Sequence, residues 1–382
     1  MEKYDLIKNS KQYSFMDFPK IIPLHDYKQV KQEIIAKARN SKEIISIYFW
    51  GLTNHPGISD IDPIIITKEK IRLSSLFWYD SKKQKEVQAH SGCFIPLHLA
   101  KQLRIVFANY PFHHYWGEKV QFPLFHDKHD RETNLLNDMV IKSFPRCFLN
   151  PLLTKKIFVR SLLLKLYSLT HSFNEFYRAT KKYKKEWKSY KRKITSLRNQ
   201  WFTLNQDQQK EQLLQVTQKA LEVSLDLIQE LHQFLLSEYH YKIYSKEKII
   251  YTGENNNTIF VNNWNPEKSL AESRGYYKKT KKIAPCLPKE LSLPLFYYSQ
   301  CNGLISDYIR KNLKANIGSF SCDLDNIFIQ RGNFFNQHMK YVFDNKLRYG
   351  CYFTYGYRPY KGIINRGVQI FRLFKKNPRI IP

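Results

Sequence analysis

The sequence predicts an α+β protein in three parts: a small mixed-sheet unit over residues 1–130, a helical domain over 131–240 and a C-terminal β-rich basic module over 241–382. Three observations predict it. Short β-branched and aromatic runs flank a Pro-Gly turn near the N-terminus. Long stretches with apolar residues every three or four positions follow. Strand and turn patterns return after residue 240. The chain has 382 residues, 43% of them apolar and 15% aromatic, which fills real cores and excludes a disordered chain.

Residues 27–42 read as a helix on the spacing of Val30, Ile34, Ile35 and Ala38. A strand is expected over Ile44–Trp50, then a polar turn with Asn54, Pro56 and Gly57, then a second strand over Ile61–Thr67. Further strands are expected at Leu73–Tyr79 and Glu118–Phe125, and a helix at Leu97–Phe107. In the helical part, Leu152, Ile157, Leu162, Leu166 and Leu169 suit one helix. Phe176, Thr180, Tyr183, Trp187, Tyr190, Ile194, Leu197 and Trp201 then recur at alternating spacings of four and three, a heptad seam. A polar break at Asn205–Asp207 precedes a helix whose seam includes Leu214, Leu221, Ile228 and Leu235, and the two seams are expected to pair as an antiparallel hairpin. KIIYT (248–252) and TIFVN (258–262) flank GENNN as a β-hairpin, and Ile305–Leu313 fits a short helix. The tail, Tyr349–Phe374, is aromatic and basic and reads as irregular strands.

Lys and Arg total 62 against 33 acids, a formal net charge of +29. The excess favours an anionic partner: nucleic acid, a nucleotide, an anionic lipid surface or an acidic polysaccharide. It also reflects a composition high in Lys, Asn, Ile and Tyr throughout. None of the six cysteines forms a C-x-x-C pair, so reduced thiols in a cytoplasmic protein are expected. MEKYDLIKNSKQYSF does not read as a signal peptide. The apolar stretch Leu152–Leu169 carries Lys155, Lys156, Arg160 and Lys165, which argues against a membrane span. The expected location is the cytoplasm, with peripheral membrane attachment as a variant.

The chemistry concentrates in WGLTNHPGISDIDPIIIT, residues 50–67. Side chains at i and i+2 of a strand share a face, so Asp60 and Asp62 point together while Ile61 points into a core. Such a pair holds one or two Mg²⁺ ions, with nucleotide phosphates completing the shell. The loop from Gly51 turns back toward the carboxylates, and its amides with the Thr53 and Ser59 hydroxyls are candidates to cradle phosphate. Gly51 and Gly57 allow close backbone approach.

Y-F-W-G at 48–51 and G-I-S-D-I-D-x-I-I-I at 57–66, preceded by a helix, resemble the DNA polymerase β-like nucleotidyltransferase superfamily. The match covers about forty residues directly, and about 130 by element order. It departs from the pattern in three ways. Leu52 stands where the family has a phosphate-binding Ser, the turn is short, and Pro63 follows Asp62. The resemblance implies a small nucleotidyltransferase-like core in which Asp60 and Asp62 hold a two-ion Mg²⁺ site. It implies Gly51, Thr53 and Ser59 at the nucleotide, and a third acid as general base toward the acceptor. Glu118 is the candidate for that acid and Glu86 the runner-up. The implied reaction moves a nucleoside monophosphate from a nucleoside triphosphate to a hydroxyl of a small molecule, a glycan precursor or an RNA end. Without a third acid, the fold would bind nucleotide without turnover, and the alternative function is a non-catalytic protein that binds nucleic acid or an anionic membrane on a degenerate nucleotidyltransferase fold, with a glycosyltransferase as a second alternative.

Other signals compete. Asp323-Leu324-Asp325 is a second acidic pair, of the kind glycosyltransferases use for a sugar nucleotide's metal, but a plain surface turn is the better reading. Arg178–Arg198 holds ten Lys or Arg against one acid, Glu186. Its aromatics fall on the seam and read as core, which leaves the basic residues as an outer face for RNA or an anionic membrane. RYGCYFTYGYRPYKG (348–362) is a second aromatic-basic cluster. His113, His114, His126 and His129 lack a partner at metal-ligand spacing and read as ordinary histidines.

Overall fold

The computed structural model describes residues 10–50, 53–71, 81–88, 92–107, 111–123, 144–253, 257–314, 319–321 and 325–347. The chain is a mixed α and β protein with small sheets. The expected strand at 73–79, His126 and His129, and the tail from 348 onward lie outside the described residues.

The N-terminal unit runs β1 (Ser14–Met16), α1 (Leu24–Arg39), β2 (Ile44–Trp50), β3 (Asp62–Thr67), α2 (Lys82–Val87), β4 (Cys93–Pro96), α3 (Leu97–Ala100), α4 (Leu103–Val106) and β5 (Phe112–Gly117). Tyr27, Val30, Ile34 and Ala38 recur on one side of α1 and are all buried. The sheet order is β4-β3-β2-β5, with β3 and β4 parallel and the other pairs antiparallel. The expected helix at 97–107 is two short ones. The expected strand at 118–125 is instead 112–117, where the alternating register against β2 puts its aromatics in reach of Tyr48, Phe49 and Trp50.

The sheet is covered on both sides. Ile47, Phe49 and Ile65 face a core with α1. Tyr48, Ile64 and Ile66 face a larger core shared with the helices that follow. This explains why β2 and β3 read as nearly continuous apolar runs.

The helices are α5 (Phe144–Thr154), then β6 (Lys156–Phe158), α6 (Val159–Thr180), α7 (Lys185–Gln200) and α8 (Gln206–Glu238). β6 pairs in parallel with β1. The heptad seam is real but crosses a break. Lys181 takes a left-handed conformation, φ 61°, and caps α6 through its N–H on the Tyr177 carbonyl. Lys184 then pairs with Asp226 at 2.6 Å and Glu230 at 2.8 Å on α8. Seam periodicity cannot register such a break, because both helices bury their seam against the same partner. Asn205 and Gln208 form the capping box that starts α8, where the polar break was expected.

The C-terminal part runs β7 (Lys242–Tyr244), β8 (Ile249–Thr252), β9 (Asn257–Val261), α9 (Pro266–Thr280), β10 (Cys286–Pro288), α10 (Leu293–Gln300), α11 (Leu304–Asn312), β11 (Leu313–Lys314), β12 (Ser319–Ser321) and α12 (Asp325–Asp344). The expected hairpin is β8 and β9, in a sheet ordered β10-β9-β8-β11. The β-rich expectation describes only part of this region, since four of its described elements are helices. Their apolar residues, such as Phe328, Phe334 and Phe335 of α12, lie in runs that suit either period. Packing onto the core chooses the helix. Asp325 opens α12, and Asp323 and Leu324 lie outside the described residues. Late in α12 the chain returns to the first sheet. The His338 ring donates from Nε2 to the Phe94 carbonyl at 2.8 Å, and the Tyr341 and Thr67 hydroxyls share a bond of 2.6 Å. Among the described residues no helix is long and apolar enough to cross a membrane.

Candidate functional site

His55-Pro56-Gly57-Ile58 forms the turn between β2 and β3. The Ile58 and Ser59 N–H groups both bond the His55 carbonyl, at 3.0 and 2.7 Å. Proline at the second position and a glycine of positive φ, 89°, at the third are the residues a type II turn requires. Gly57 does allow close approach, but to the protein itself: a Cβ there would collide with the Lys20 carbonyl and meet the Phe202 ring at 2.9 Å.

From this turn the chain enters β3. Ile61 is buried with Ile65 in the core under α1. Asp60 and Asp62, one residue to either side, are both half-buried. Asp62 has the strand parity of Ile64 and Ile66, which pack into the larger core. Asp62 opens β3 on that side, and Asp60 lies in the loop just before the strand, where Arg198 and Tyr27 feel its charge. Asp62 pairs in register with Trp50, and Trp50 with Phe112, so aromatic rings floor that end of the sheet.

The turn is clamped from three sides. The Tyr27 hydroxyl, on α1, accepts from Gly57 N–H at 2.8 Å and donates to the Ser59 carbonyl at 2.8 Å. Arg160, at the start of α6, donates to the carbonyls of Ile58 at 3.4 Å, Ser59 at 3.1 Å and Glu86 at 2.6 Å. Arg198, near the end of α7, donates from Nη2 to the Ser59 hydroxyl at 3.3 Å. Its guanidinium lies 4.1 Å from the centre of the Tyr167 ring.

The electrostatics follow from burial. Arg198 is 5% exposed, and desolvation lowers its pKa to about 10, with Tyr167 and then Asp60 pulling it back up. Burial, then the charge of Arg198, lowers the His55 pKa and so disfavours its charged form. Burial raises the Tyr27 pKa, which keeps its hydroxyl proton in place to donate.

The expected site residues meet this geometry unequally. Asp62 is the first residue of β3 and Asp60 precedes it in the loop, both half-buried. Thr53 is half-buried ahead of the turn, and Gly51 lies outside the described residues. Ser59 is 4% exposed, and its hydroxyl accepts both from His55 N–H at 3.2 Å and from Arg198, so it braces the turn. Glu118 is not brought to the pair. Its N–H bonds the Ile45 carbonyl, five residues along β2 from Trp50, or roughly 16 Å at about 3.3 Å per residue. Glu86 sits on the segment alongside: Ile61 N–H bonds the next carbonyl, that of Val87, at 3.3 Å. Its carboxylate lies 4.0 Å from Lys20. Among the described residues no cluster of three or more His, Cys, Asp or Glu is arranged to hold a metal.

Sequence reasoning passed over Tyr27, Arg160 and Arg198. For Arg198 a signal existed, because it follows Trp187 by eleven residues, close to three turns, and so shares that residue's buried side of α7. The other basic residues of the run behave as expected. Lys185, Lys188, Arg192 and Lys193 are exposed, while Trp187, Tyr190, Ile194, Leu197 and Trp201 are buried.

Two carboxylates near the start of β3 are oxygen donors of the kind a hard divalent cation takes. No protein-family profile, curated protein or solved structure matches this chain.

Proposed function

We propose that the chain is a metal-dependent nucleotidyltransferase that transfers a nucleoside monophosphate from a nucleoside triphosphate to a hydroxyl acceptor. The observation that carries this is that Asp60 and Asp62 stand half-buried where the Pro56-Gly57 turn leads into β3, with Arg198 close enough to Asp60 to feel its charge and bonded to the neighbouring Ser59. The resemblance of residues 48–66 to the DNA polymerase β-like superfamily points the same way.

In this reading Asp60 and Asp62 are the Mg²⁺ ligands. The bound cation supplies charge neutralisation at the phosphate oxygens. The half-buried pair and its aromatic floor limit water at the reacting phosphorus. The clamp of Tyr27, Arg160 and Arg198 keeps the carboxylates fixed, so little reorganisation accompanies the transfer. The acceptor oxygen bonds to the α-phosphorus, pyrophosphate leaves, and the acceptor proton passes to a carboxylate. Glu86, on the segment bonded to Ile61, is better placed for that role than Glu118. The exposed stripe of Lys185, Lys188 and Arg192 is a surface for an anionic acceptor or an anionic membrane.

The distance of Glu118 favours a second reading, nucleotide binding without turnover. Incubation with Mg²⁺ and each labelled nucleoside triphosphate, with and without total RNA, separates the two. Label transfer that disappears in Asp60→Ala and Asp62→Ala supports the transferase. Mg²⁺-dependent nucleotide binding without transfer supports the second reading. Absence of both removes the nucleotide reading altogether.

A further inference from the structure

The two arginines of the clamp are used differently. Arg160 spends its guanidinium on three backbone carbonyls. Arg198 is more deeply buried, yet among the described residues its guanidinium makes a single, long hydrogen bond, to the Ser59 hydroxyl. Its Nε is shielded from solvent and has no hydrogen-bond partner among the described residues. A guanidinium buried and left partly unsatisfied is costly, and a bound anion is one way of completing it. The face-on contact with Tyr167 fixes the plane of the fork, and a planar fork suits two oxygens of a phosphate.

Asp60 is the acid whose charge Arg198 feels. A cation on Asp60 neutralises that charge and leaves the guanidinium in want of another anion. The Asp60 side and the Arg198 side of the turn thus alternate in charge, as a metal–polyphosphate ligand does.

We propose that Arg198 is the phosphate receptor of this site, binding the polyphosphate part of the ligand next to the Asp60–Asp62 pair. The proposal rests on the nucleotide reading of that pair for its ligand, but it makes a demand of its own: polyphosphate affinity belongs to Arg198 even without metal. Phosphate docks at the edge of the guanidinium that meets the Ser59 hydroxyl, which yields its bond to Arg198 as it does so.

The test uses the full chain and inorganic tripolyphosphate as probe, by calorimetry in EDTA. The native protein is expected to bind it, and Arg198→Gln to bind it roughly 10- to 100-fold more weakly. Arg198→Lys, which keeps the charge and loses the fork, falls between them. Asp60→Asn retains the affinity. Thermal unfolding of Arg198→Gln is expected somewhat below the native temperature, because the bond to Ser59 and the contact with Tyr167 are lost. If the variants unfold early, the Nε–H resonance of Arg198 in ¹⁵N-labelled native protein still decides. It moves on saturation with tripolyphosphate if the proposal holds, and a stationary resonance overturns it. Equal binding by native and Arg198→Gln proteins also overturns it, as does a native protein that binds no tripolyphosphate. In either case Mg²⁺-dependent nucleotide binding that needs Asp60 and Asp62 leaves the transferase reading standing. Arg198-dependent binding with no effect of Mg²⁺, or of Asp60→Ala and Asp62→Ala, does the reverse.

Discussion

Replacing Tyr27 with phenylalanine removes one oxygen from beneath the Asp60 turn and nothing else. The ring is retained, so no cavity opens among Val30, Ile34 and Phe49. Two hydrogen bonds are lost, and they are not equivalent. The Gly57 N–H gives up the Tyr27 hydroxyl at a buried position, which costs about 1–3 kcal/mol for a donor left unmade. The Ser59 carbonyl keeps Arg160 at 3.1 Å, so its loss is nearer that of an ordinary net hydrogen bond, about 1 kcal/mol. The sum is about 2–4 kcal/mol. Urea unfolding of the two proteins at neutral pH measures it as a lower midpoint at unchanged slope. The Mg²⁺ dependence of nucleotide binding should weaken in parallel, because the turn that aims Asp60 has lost its support from α1. A change in unfolding free energy below about 0.5 kcal/mol, the range of a neutral surface substitution, would refute the idea that Tyr27 holds this turn.

Three further outcomes follow from the same packing. Gly57→Ala must place a Cβ against the Lys20 carbonyl at φ 89°, so it should destabilise by roughly 2 kcal/mol or more, read as a lower urea midpoint. Trp187→Ala deletes a fully buried ring stacked on Phe173 at 5.0 Å and strands the Asp226 oxygen it donates to at 2.8 Å. A loss of about 3–5 kcal/mol is expected in denaturant melts, with Lys188→Ala on the exposed side of the same helix within about 0.5 kcal/mol of native. His338 is fully buried and neutral, its pKa lowered to about 4 by desolvation against an unfolded value of 6.5. Between those pH values the unfolded chain takes up a proton that the folded chain refuses. Stability from this group is therefore complete above pH 6.5 and falls as pH drops toward 4, by roughly 3 kcal/mol in all. His338→Gln should flatten that part of the pH–stability curve, and an unchanged curve would show that the ring already protonates in the fold.

Much of the site was legible because its logic is local. Pro56 and Gly57 prescribe a turn type, Ile61 between two aspartates prescribes which side chain enters the core, and β2 and β3 appear where β-branched and aromatic residues run together. The seam of α7 and α8 was equally readable, since helical period alone assigns Trp187, Tyr190, Leu221 and Ile228 to the interior. The position of Glu118 was not readable. Whether an acid after β5 sits beside Asp62 or at the other end of the sheet depends on strand direction and register, and neither is written in spacing. Nor could period distinguish the helices of the C-terminal part from strands, because runs such as IFI and NFF fit both patterns until a neighbour buries one side.

The sequence by itself determined the turn that carries Asp60 and Asp62 and the amphipathic sides of the helices, because each depends on residues a few positions apart. Only the tertiary structure decided what stands opposite the carboxylates. Arg160 and Arg198 lie about 100 and 140 positions from Asp60 in the chain, and they reach its turn through helix packing, whose partners no local pattern names. The same packing desolvates Arg198 and sets it on Tyr167. Lys188 and Arg192, of the same basic run, remain in solvent.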